Sequence, residues 1–315
     1  MLPSFLIVLI SLLACSLTPQ QEEKVSNKLP DQPHLLVLGV AQDAGYPQAG
    51  CQKDCCQKVW EGVVAPKQVS CLALVDPTQN RAWLFDATPG FREQLHQLEI
   101  RGLELAGIFL THAHIGHYTG LMQLGHEAMG AQGVPVYVMP RMKTYLENDG
   151  PWGQLVNYKN IVLQPLVADS TIHLPGNFSV TPFLVPHRDE YSETVGYRIE
   201  GPDKKALFIP DIDKWERWNR DITAEIQQVD YAFLDATFYA DGEIPGRAMH
   251  EIPHPFIEES MARFEELSAE DKEKVHFIHF NHTNPVLRKD TEAYQIVLKK
   301  GYHVAEEGMS FLVTK

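Results

Sequence analysis

The sequence of 315 residues predicts an α/β (α+β) fold in which two sheets are sandwiched between outer helices, an αββα sandwich. Two observations predict it. Short apolar runs of strand length recur between loops from residue 34 to the end, and helical stretches are interspersed among them. With 44% hydrophobic residues, a chain of this length can bury a full core as one large domain or two small ones.

The first half of the chain contains five predicted strands and two predicted helices. A strand at residues 34–39 precedes a loop rich in Gly, Gln and Cys. A hairpin follows, joined by a Pro-Thr-Gln-Asn turn. The predicted strands lie at 34–39, 71–75, 82–86, 105–110 and 134–139, and the predicted helices at 90–98 and 120–130.

The second half repeats this pattern of apolar strands. Helices are expected around residues 256–267 and 290–300. The predicted strands lie at 161–166, 178–185, 195–199, 206–209, 231–235 and 275–279. Strands therefore dominate, which is the composition that two packed sheets with helices on their outer faces require.

The N-terminus has a separate character. Residues 5–14 form an apolar stretch of the length of a signal-peptide core, and the stretch ends in Leu-Leu-Ala-Cys15, which resembles the lipobox of bacterial lipoproteins. That resemblance implies lipidation of Cys15. An uncleaved N-terminal anchor or a mis-assigned start is the alternative, since the first residues carry no Lys or Arg.

We therefore predict three segments: a lipoprotein-type signal peptide at 1–15, a polar flexible tether at 16–33 and a folded domain at 34–315. Ser16 after the lipidated cysteine predicts the outer membrane, on the periplasmic side. The expected protein is exported, lipid-anchored in the bacterial envelope and attached to the membrane through that lipid only.

The charge of the chain restricts its partners. The net charge is −14, and no cluster of Lys and Arg is present to contact phosphates, so a nucleic-acid partner is not expected. Beyond the N-terminus no apolar run is long enough to span a bilayer. A small-molecule substrate is the expected partner.

Three histidines lie within six positions directly after the apolar run at residues 105–110: His112, His114 and His117. Neutral imidazole is the commonest zinc ligand in proteins and also suits iron and copper. On an extended segment the side chains of His112 and His114 leave the same side of the chain. The pattern predicts a metal site, the alternative being surface histidines beside a turn.

Further Asp and His residues stand at or just beyond the ends of other predicted strands. Asp and His also occur at strand ends for purely structural reasons, but a series of them in this arrangement favours a metal site. The residues are Asp86, His187, Asp211, Asp235, His279 and His282.

These motifs together resemble the metallo-β-lactamase fold superfamily over almost all of residues 34–315, and within it the coenzyme PQQ synthesis protein B group. The resemblance rests on the opening Val-Leu-Gly39, the Thr-His-Ala-His-Ile-Gly-His motif at 111–117, the strand-end His187 and Asp211, and the segments at 234–238 and 278–285. It implies the αββα sandwich of the metallo-β-lactamase type.

The resemblance also implies the ligand sets. His112, His114 and His187 would form a first metal site, His117 with His279 or His282 would form a second, and Asp211 would bridge the two. Asp86 would hold the histidine loop in shape. The chain departs from the family pattern at Gly116, where the family has an aspartate that supplies a ligand to the second metal. One metal, or a second held by both His279 and His282, is therefore expected.

The activity that follows is hydrolysis of a small ester, phosphodiester or amide-like substrate by hydroxide on one or two zinc ions. Asp211, Asp235 and His254 are the candidate bases. Two other roles remain open: an iron-dependent oxidative role like that associated with the PQQ-synthesis relatives, and a non-catalytic binding protein on the same fold. Metal identity separates them.

Cys51, Cys55 and Cys56 lie in the loop after the first strand. In related proteins a Cys-rich loop here holds a structural zinc, which implies these three thiolates and a histidine as ligands. In an exported protein a disulfide between Cys51 and Cys55 or Cys56 is the alternative. Cys71, inside a predicted strand, is expected to be a buried apolar residue.

Overall fold

In the computed structural model, which describes residues 30–315, the chain forms two seven-stranded sheets with helices on their outer faces. The expected αββα sandwich is therefore confirmed. Residues 1–29, on which the expected signal peptide, Cys15 and most of the tether fall, lie outside the described residues.

The first sheet has the strand order β14-β1-β2-β3-β4-β5-β6, with strands numbered along the chain. Strands β14, β1, β2 and β3 pair antiparallel, and β3, β4, β5 and β6 pair parallel. The strands are β1 (His34–Gly39), β2 (Cys71–Asp76), β3 (Arg81–Phe85), β4 (Glu104–Phe109), β5 (Val134–Val138), β6 (Ile161–Pro165) and β14 (Ser310–Leu312).

The second sheet has the order β13-β12-β11-β10-β9-β8-β7. Strands β7 to β10 pair antiparallel and β10 to β13 pair parallel. Strand β8 therefore runs in the same direction as β10, β11 and β12. The strands are β7 (Ile172–Leu174), β8 (Phe178–Leu184), β9 (Val195–Glu200), β10 (Lys205–Ile209), β11 (Tyr231–Asp235), β12 (Val275–Ile278) and β13 (His303–Val304).

Alternate residues of the central strands enter two different cores, which explains their uninterrupted apolar runs. In β1, Leu35 and Val37 pack between the sheets, whereas Leu36 and Leu38 pack outward against the helices. The helices are α1 (Asp54–Trp60), α2 (Phe91–Glu99), α3 (Ile115–Tyr118), α4 (Pro140–Asn148), α5 (Trp152–Asn157), α6 (Ile222–Gln227), α7 (Ile257–Arg263), α8 (Ala269–Glu273) and α9 (Glu292–Lys299).

The helix predicted at residues 120–130 is wrong. A 3-10 helix over Thr119–Leu124, directly after the short α3, is formed instead. The Gly120 N–H donates to Ala87 O at 2.9 Å, and a Cβ at position 120 would lie 2.2 Å from Thr88 O, so the backbone packs too closely for a regular surface helix. Helices α1, α4, α5, α6 and α8, of five to nine residues, are too short to give a clear periodic signal.

The parallel strands of both sheets end at one edge of the sandwich. Two hydrogen bonds join the sheets there: the Tyr197 hydroxyl donates to Leu110 O, and the Val195 N–H donates to Thr111 O at 3.1 Å. The carboxyl ends of parallel strands share one edge, so the residues that follow β3, β4, β8, β10, β11 and β12 converge there. Within residues 30–315, no helix has the length and apolar character needed to cross a membrane.

His276 in β12 gives the fold a testable pH dependence. Its ring is stacked on His303 at a centroid distance of 4.8 Å and lies against Phe233 and Phe311. Burial lowers the pKa of His276 to about 4. Because the folded protein disfavours the protonated ring, the contribution of neutral His276 to the free energy of unfolding is fully present above about pH 6.5. It is lost as the pH drops toward 4.

Between pH 7 and pH 4.5 the free energy of unfolding of wild type should fall further than that of the His276→Gln variant. We expect the difference between the two decreases to be about 2 to 3 kcal/mol. Urea unfolding of both proteins in the presence of a chelator measures this difference without a contribution from metal loss. An identical pH dependence of the two proteins would show that folding does not lower the pKa of His276.

Candidate metal centre

The histidine segment runs from the end of β4 into α3, which contains His117, and is held by Asp86. The Thr111 N–H donates to Asp86 Oδ1 at 2.7 Å, and the Thr111 hydroxyl donates to Oδ2 at 3.0 Å. His112 and His117 are buried, and His114 is partly exposed. The Asp86 carboxylate therefore fixes the turn from strand to loop that brings the three imidazoles to the edge of the sandwich.

The first group of converging side chains is His112, His114, His187 and Asp211, whose ligand atoms all lie within 4.8 Å of one another. His112 Nε2 lies 2.9 Å from His114 Nδ1, and His187 Nε2 lies 3.3 Å from the same atom. His187 Nε2 is also 3.2 Å from Asp211 Oδ1. The four residues come from the loops after β4, β8 and β10.

The second group is Asp43, His117, Asp211 and His279, again within 4.8 Å. His117 Nε2 lies 2.9 Å from Asp43 Oδ1 and 3.9 Å from Asp211 Oδ2. His279 Nε2 lies 3.5 Å from Asp43 Oδ1. Asp211 therefore belongs to both groups, with its Oδ2 also 3.3 Å from His112 Nε2.

Outer hydrogen bonds orient three of these rings. His117 Nδ1 lies 2.7 Å from Asp86 Oδ2, and His187 Nδ1 lies 3.2 Å from Asp213 Oδ1. His279 Nδ1 lies 3.0 Å from the Thr237 hydroxyl. In each case the outer nitrogen is engaged and Nε2 points toward the cluster, which is the arrangement that metal-binding histidines adopt.

Asp235 is not placed as a base that reaches a substrate, which corrects one of the expected catalytic roles. It is fully buried and accepts hydrogen bonds from Ile212 N (3.0 Å) and from Thr237 N and Oγ1 (2.9 and 2.7 Å). Its Oδ2 lies 2.8 Å from His254 Nδ1. The carboxylate is thus saturated and acts as a positioning group for His254.

The centre has a strongly negative field. Although burial opposes it, the carboxylates of Asp86 and Asp43 raise the pKa of His117 well above its ordinary value. Burial likewise opposes the charged form of His187, but Asp211 raises its pKa to about 10. Neutral imidazoles do not balance the negative charge of these carboxylates, so the centre attracts cations.

Two residues of the centre lie in left-handed backbone conformations at the ends of strands. Asp86 has φ 73° and His279 has φ 70°. Such conformations cost roughly 1 to 3 kcal/mol outside glycine and cluster at functional sites. Both residues use the sharp turn to direct a side chain back into the centre, Asp86 toward His117 and His279 toward Asp43.

A cavity of about 460 Å³ lies next to the centre. His254 lines it, and His254 Nδ1 is 3.2 Å from Asp211 Oδ1, so the cavity adjoins the ligand groups directly. Its other lining residues are apolar, polar or cationic: Phe238, Ile244, Ile252 and Pro253; Gln42, Gln48, Thr237, Asn281 and His282; and Arg188 and Arg247. Its size suits a small molecule.

His282 does not lie with His279, which corrects its expected place in the second metal site. Its ring instead joins Cys51, Cys55 and Cys56 in a group whose ligand atoms lie within 4.8 Å of one another. Cys51 Sγ lies 3.8 Å from Cys55 Sγ. The cysteines at 51, 55, 56 and 71 are all free, and Cys71 is buried in β2.

Three residues of the centre escaped the sequence analysis: Asp43, Asp213 and Thr237. Asp43 and Asp213 each follow a strand, as do the carboxylates that the analysis identified, so the same signal was available. Asp213 accepts from Arg217 at 2.8 Å while facing His187. Asp43 is separated from β1 by three residues and lies in a loop. The direction of its side chain follows only from the residues that the fold places beside it.

Comparison with known proteins places the chain in a family. A family model described as "Beta-lactamase superfamily domain" matches residues 81–280. This stretch begins at β3 and ends just after β12. It includes every residue of the two ligand groups except Asp43.

The resemblance to the coenzyme PQQ synthesis protein B group is confirmed. Coenzyme PQQ synthesis protein B of Methylobacillus flagellatus is 26% identical over 310 residues, covering 89% of this chain and 100% of the relative. That of Gluconobacter oxydans is 25% identical, covering 88% and 97%. The crystal structure of Zn(2+)-bound PqqB from Methylobacterium extorquens matches with a TM-score of 0.75 at 25% identity, covering 88% and 99%.

A more distant structure has the same fold. The structure described as a new diphosphatase from the PhnP family matches with a TM-score of 0.59 at 21% identity, covering 89% of this chain and 96% of the other.

The same relatives correct the expected location. The chain matches coenzyme PQQ synthesis proteins B over nearly their whole length, and nothing in that match supports a lipoprotein. The prediction of lipidation at Cys15, export and an outer-membrane anchor is therefore contradicted.

The role of Asp86 gives a prediction for stability. The Asp86→Asn substitution keeps the size of the side chain but turns an NH₂ group toward the N–H groups that the carboxylate accepts. We expect a loss of roughly 1 to 3 kcal/mol, because buried donors of Thr111 or His117 are left unpaired. Urea unfolding in a chelator measures it.

The exposed Asp149→Asn variant is the matched control and should unfold as wild type does. If Asp86→Asn unfolded at the same urea concentration as this control, the Asp86 carboxylate would not hold the histidine segment.

Proposed function

The chain belongs to the beta-lactamase superfamily, and from that premise we propose that it is a metal-dependent hydrolase of small molecules. The observation that carries the proposal is Asp211, a buried carboxylate shared by two groups of imidazoles beside a cavity of about 460 Å³. A bridging carboxylate between two sets of nitrogen donors is suited to hold one or two divalent ions.

The residues fit a metal ion. Among the described residues, two buried polar atoms of the centre, Asp211 Oδ1 and His279 Nε2, lack any hydrogen-bond partner. Such atoms are costly unless a missing partner satisfies them. In addition, His112 Nε2 and His114 Nδ1 face each other at 2.9 Å, so two ring nitrogens that can serve as ligands converge on one point.

His112, His114, His187 and Asp211 would hold the first ion, and His117 and His279 with Asp211 the second. Zinc bound there supplies hydroxide at neutral pH and polarises the substrate oxygen. His254 is the chain's proton carrier in this proposal, since it lines the cavity and its Nδ1 is hydrogen-bonded to Asp235. Asp235 orients that ring and stays away from the substrate.

The cysteine cluster is proposed as a separate structural zinc site. Three thiols and the His282 imidazole supply the four ligands of a closed tetrahedral site. Such a site would join the loop after β1 to the segment after β12.

An iron-dependent oxidative role is the second candidate. Imidazole and carboxylate donors also accept Fe(II), and the relatives named coenzyme PQQ synthesis protein B favour retaining this alternative. The two candidates differ in the metal that the centre retains.

The cavity lining favours an anionic substrate with an apolar body. Arg188 and Arg247 line it together with Phe238 and Ile252, and its lining includes no carboxylate. Within the described part of the chain, Arg247 forms no ion pair, and the contact of Arg188 with Glu190 is a long one of 3.4 Å. Two guanidinium groups left available in a chain of net charge −14 are suited to bind a phosphate or carboxylate.

Metal analysis of the full chain tests the proposed function. We expect zinc in the wild-type protein and, in the His112→Ala/His114→Ala variant, loss of the metal at the centre while zinc at the cysteine cluster stays. Hydrolysis of bis(4-nitrophenyl) phosphate or 4-nitrophenyl acetate should fall roughly 100-fold or more in the variant. The exposed His126→Ala variant is the control.

Wild-type protein without metal after reconstitution, or hydrolysis unaffected by the double substitution, would contradict the hydrolase proposal. Iron retained in place of zinc would favour the oxidative candidate.

The anionic substrate class is tested by binding of inorganic phosphate. We expect the Arg188→Gln/Arg247→Gln variant to bind phosphate at least about tenfold more weakly by calorimetry, because each charge-assisted hydrogen bond contributes roughly 1.5 to 3 kcal/mol. Arg92→Gln, which removes an exposed guanidinium elsewhere, should bind phosphate as wild type does. An unchanged dissociation constant in the double variant would exclude the two arginines from substrate binding.

A further inference from the structure

We infer that Asp43 is a ligand of the second metal, supplied by the segment after β1, and that Gly116 is required because this segment occupies the space beside it. The inference rests on the proposed function in one respect: the centre must hold metal. It assigns a ligand to a residue outside the histidine motif and couples two positions 73 residues apart in the sequence.

The carboxylate of Asp43 lies where a ligand of the second metal would lie. Its Oδ1 is 2.9 Å from His117 Nε2 and 3.5 Å from His279 Nε2. These are the two nitrogens that face the second group, and all the donors of the group lie within 4.8 Å of one another. With Asp43 the second group has two imidazoles and two carboxylates, enough for a complete four-coordinate site.

The orientation of the two rings leaves their Nε2 atoms facing Asp43. His117 Nδ1 lies 2.7 Å from Asp86 Oδ2, so Nε2 is the ring nitrogen that remains for Asp43. His279 Nε2 has no hydrogen-bond partner among the described residues although it is buried. A metal ion between these atoms would take the place of the proton between His117 and Asp43 and would also satisfy His279 Nε2.

The backbone carries Asp43 and His279 as one unit. Gln42 N–H donates to Phe280 O at 2.8 Å, and Phe280 N–H donates to Val40 O at 2.8 Å. The residues before Asp43 and after His279 are thus paired like neighbouring strands. The direction of the Asp43 side chain is therefore set by the same edge of the sheet that presents His279.

The observed position of Asp43 requires glycine at position 116. A Cβ at position 116 would lie 2.5 Å from the Asp43 Cα and 2.5 Å from its Oδ1, distances that real Cβ atoms do not show. Part of the clash is with the backbone of Asp43, so a different side chain at position 43 would not relieve it. A side chain at position 116 and the observed Asp43 segment exclude each other, and the carboxylate that position 116 lacks is supplied by Asp43.

Cobalt titration of the full chain, followed by visible absorption and by metal analysis, tests the inference without depending on activity. We expect two binding steps at the centre of wild type. In Asp43→Ala and Asp43→Asn the second step should weaken at least about 100-fold while the first is kept, and Asp43→His should restore part of it. The exposed Asp241→Asn is the charge-matched control and should keep both steps.

Gly116→Ala removes no ligand, yet it should lose the second step as Asp43→Ala does, because the methyl group displaces the Asp43 segment. Retention of the first step in every variant reports that the fold is intact. Two undiminished steps in Asp43→Asn, or a single step in wild type, would overturn the inference and leave the proposed function standing. No cobalt bound at the wild-type centre would overturn the proposed function itself.

Discussion

The charge of one buried carboxylate, Asp211, sets the requirements of the whole centre. It is 3% exposed and lies within 4 Å of five imidazole nitrogens on five different histidines. A carboxylate removed from water needs hydrogen-bond donors or cations around it, and Asp211 Oδ1 has no hydrogen-bond partner among the described residues. Protonation of the histidines whose pKa is raised, and binding of the metal ions that we propose, are two ways to neutralise this carboxylate.

The architecture explains why so many polar residues meet there. Six strands that run toward this edge, β3, β4, β8, β10, β11 and β12, end at or are followed within three residues by an Asp or His of the centre. The two sheets bring their carboxyl ends together because Tyr197 and Val195 of β9 bind the backbone that leads into the histidine segment. Polar residues that the sequence shows only at separate strand ends are thus brought together by the packing of the two sheets.

The sequence was a good guide to the buried strands and to the polar residues directly behind them, since both follow from short apolar runs. It failed where position depended on a distant partner. Residues 120–130 look helical in isolation, but Gly120 is pressed against the segment after β3. His282 follows His279 by three residues, yet the turn after β12 directs its ring to the cysteines. The roles of Asp43 and Asp213 likewise become apparent only from the imidazoles that they face, His117 and His187.

The left-handed backbone at His279 carries a cost that another residue would avoid. Glycine would adopt φ 70° without strain and would remove a buried ring nitrogen that has no hydrogen-bond partner among the described residues. The strained backbone is thus combined with a buried ring nitrogen in one residue, and both costs are met by the same feature, an imidazole aimed at Asp43.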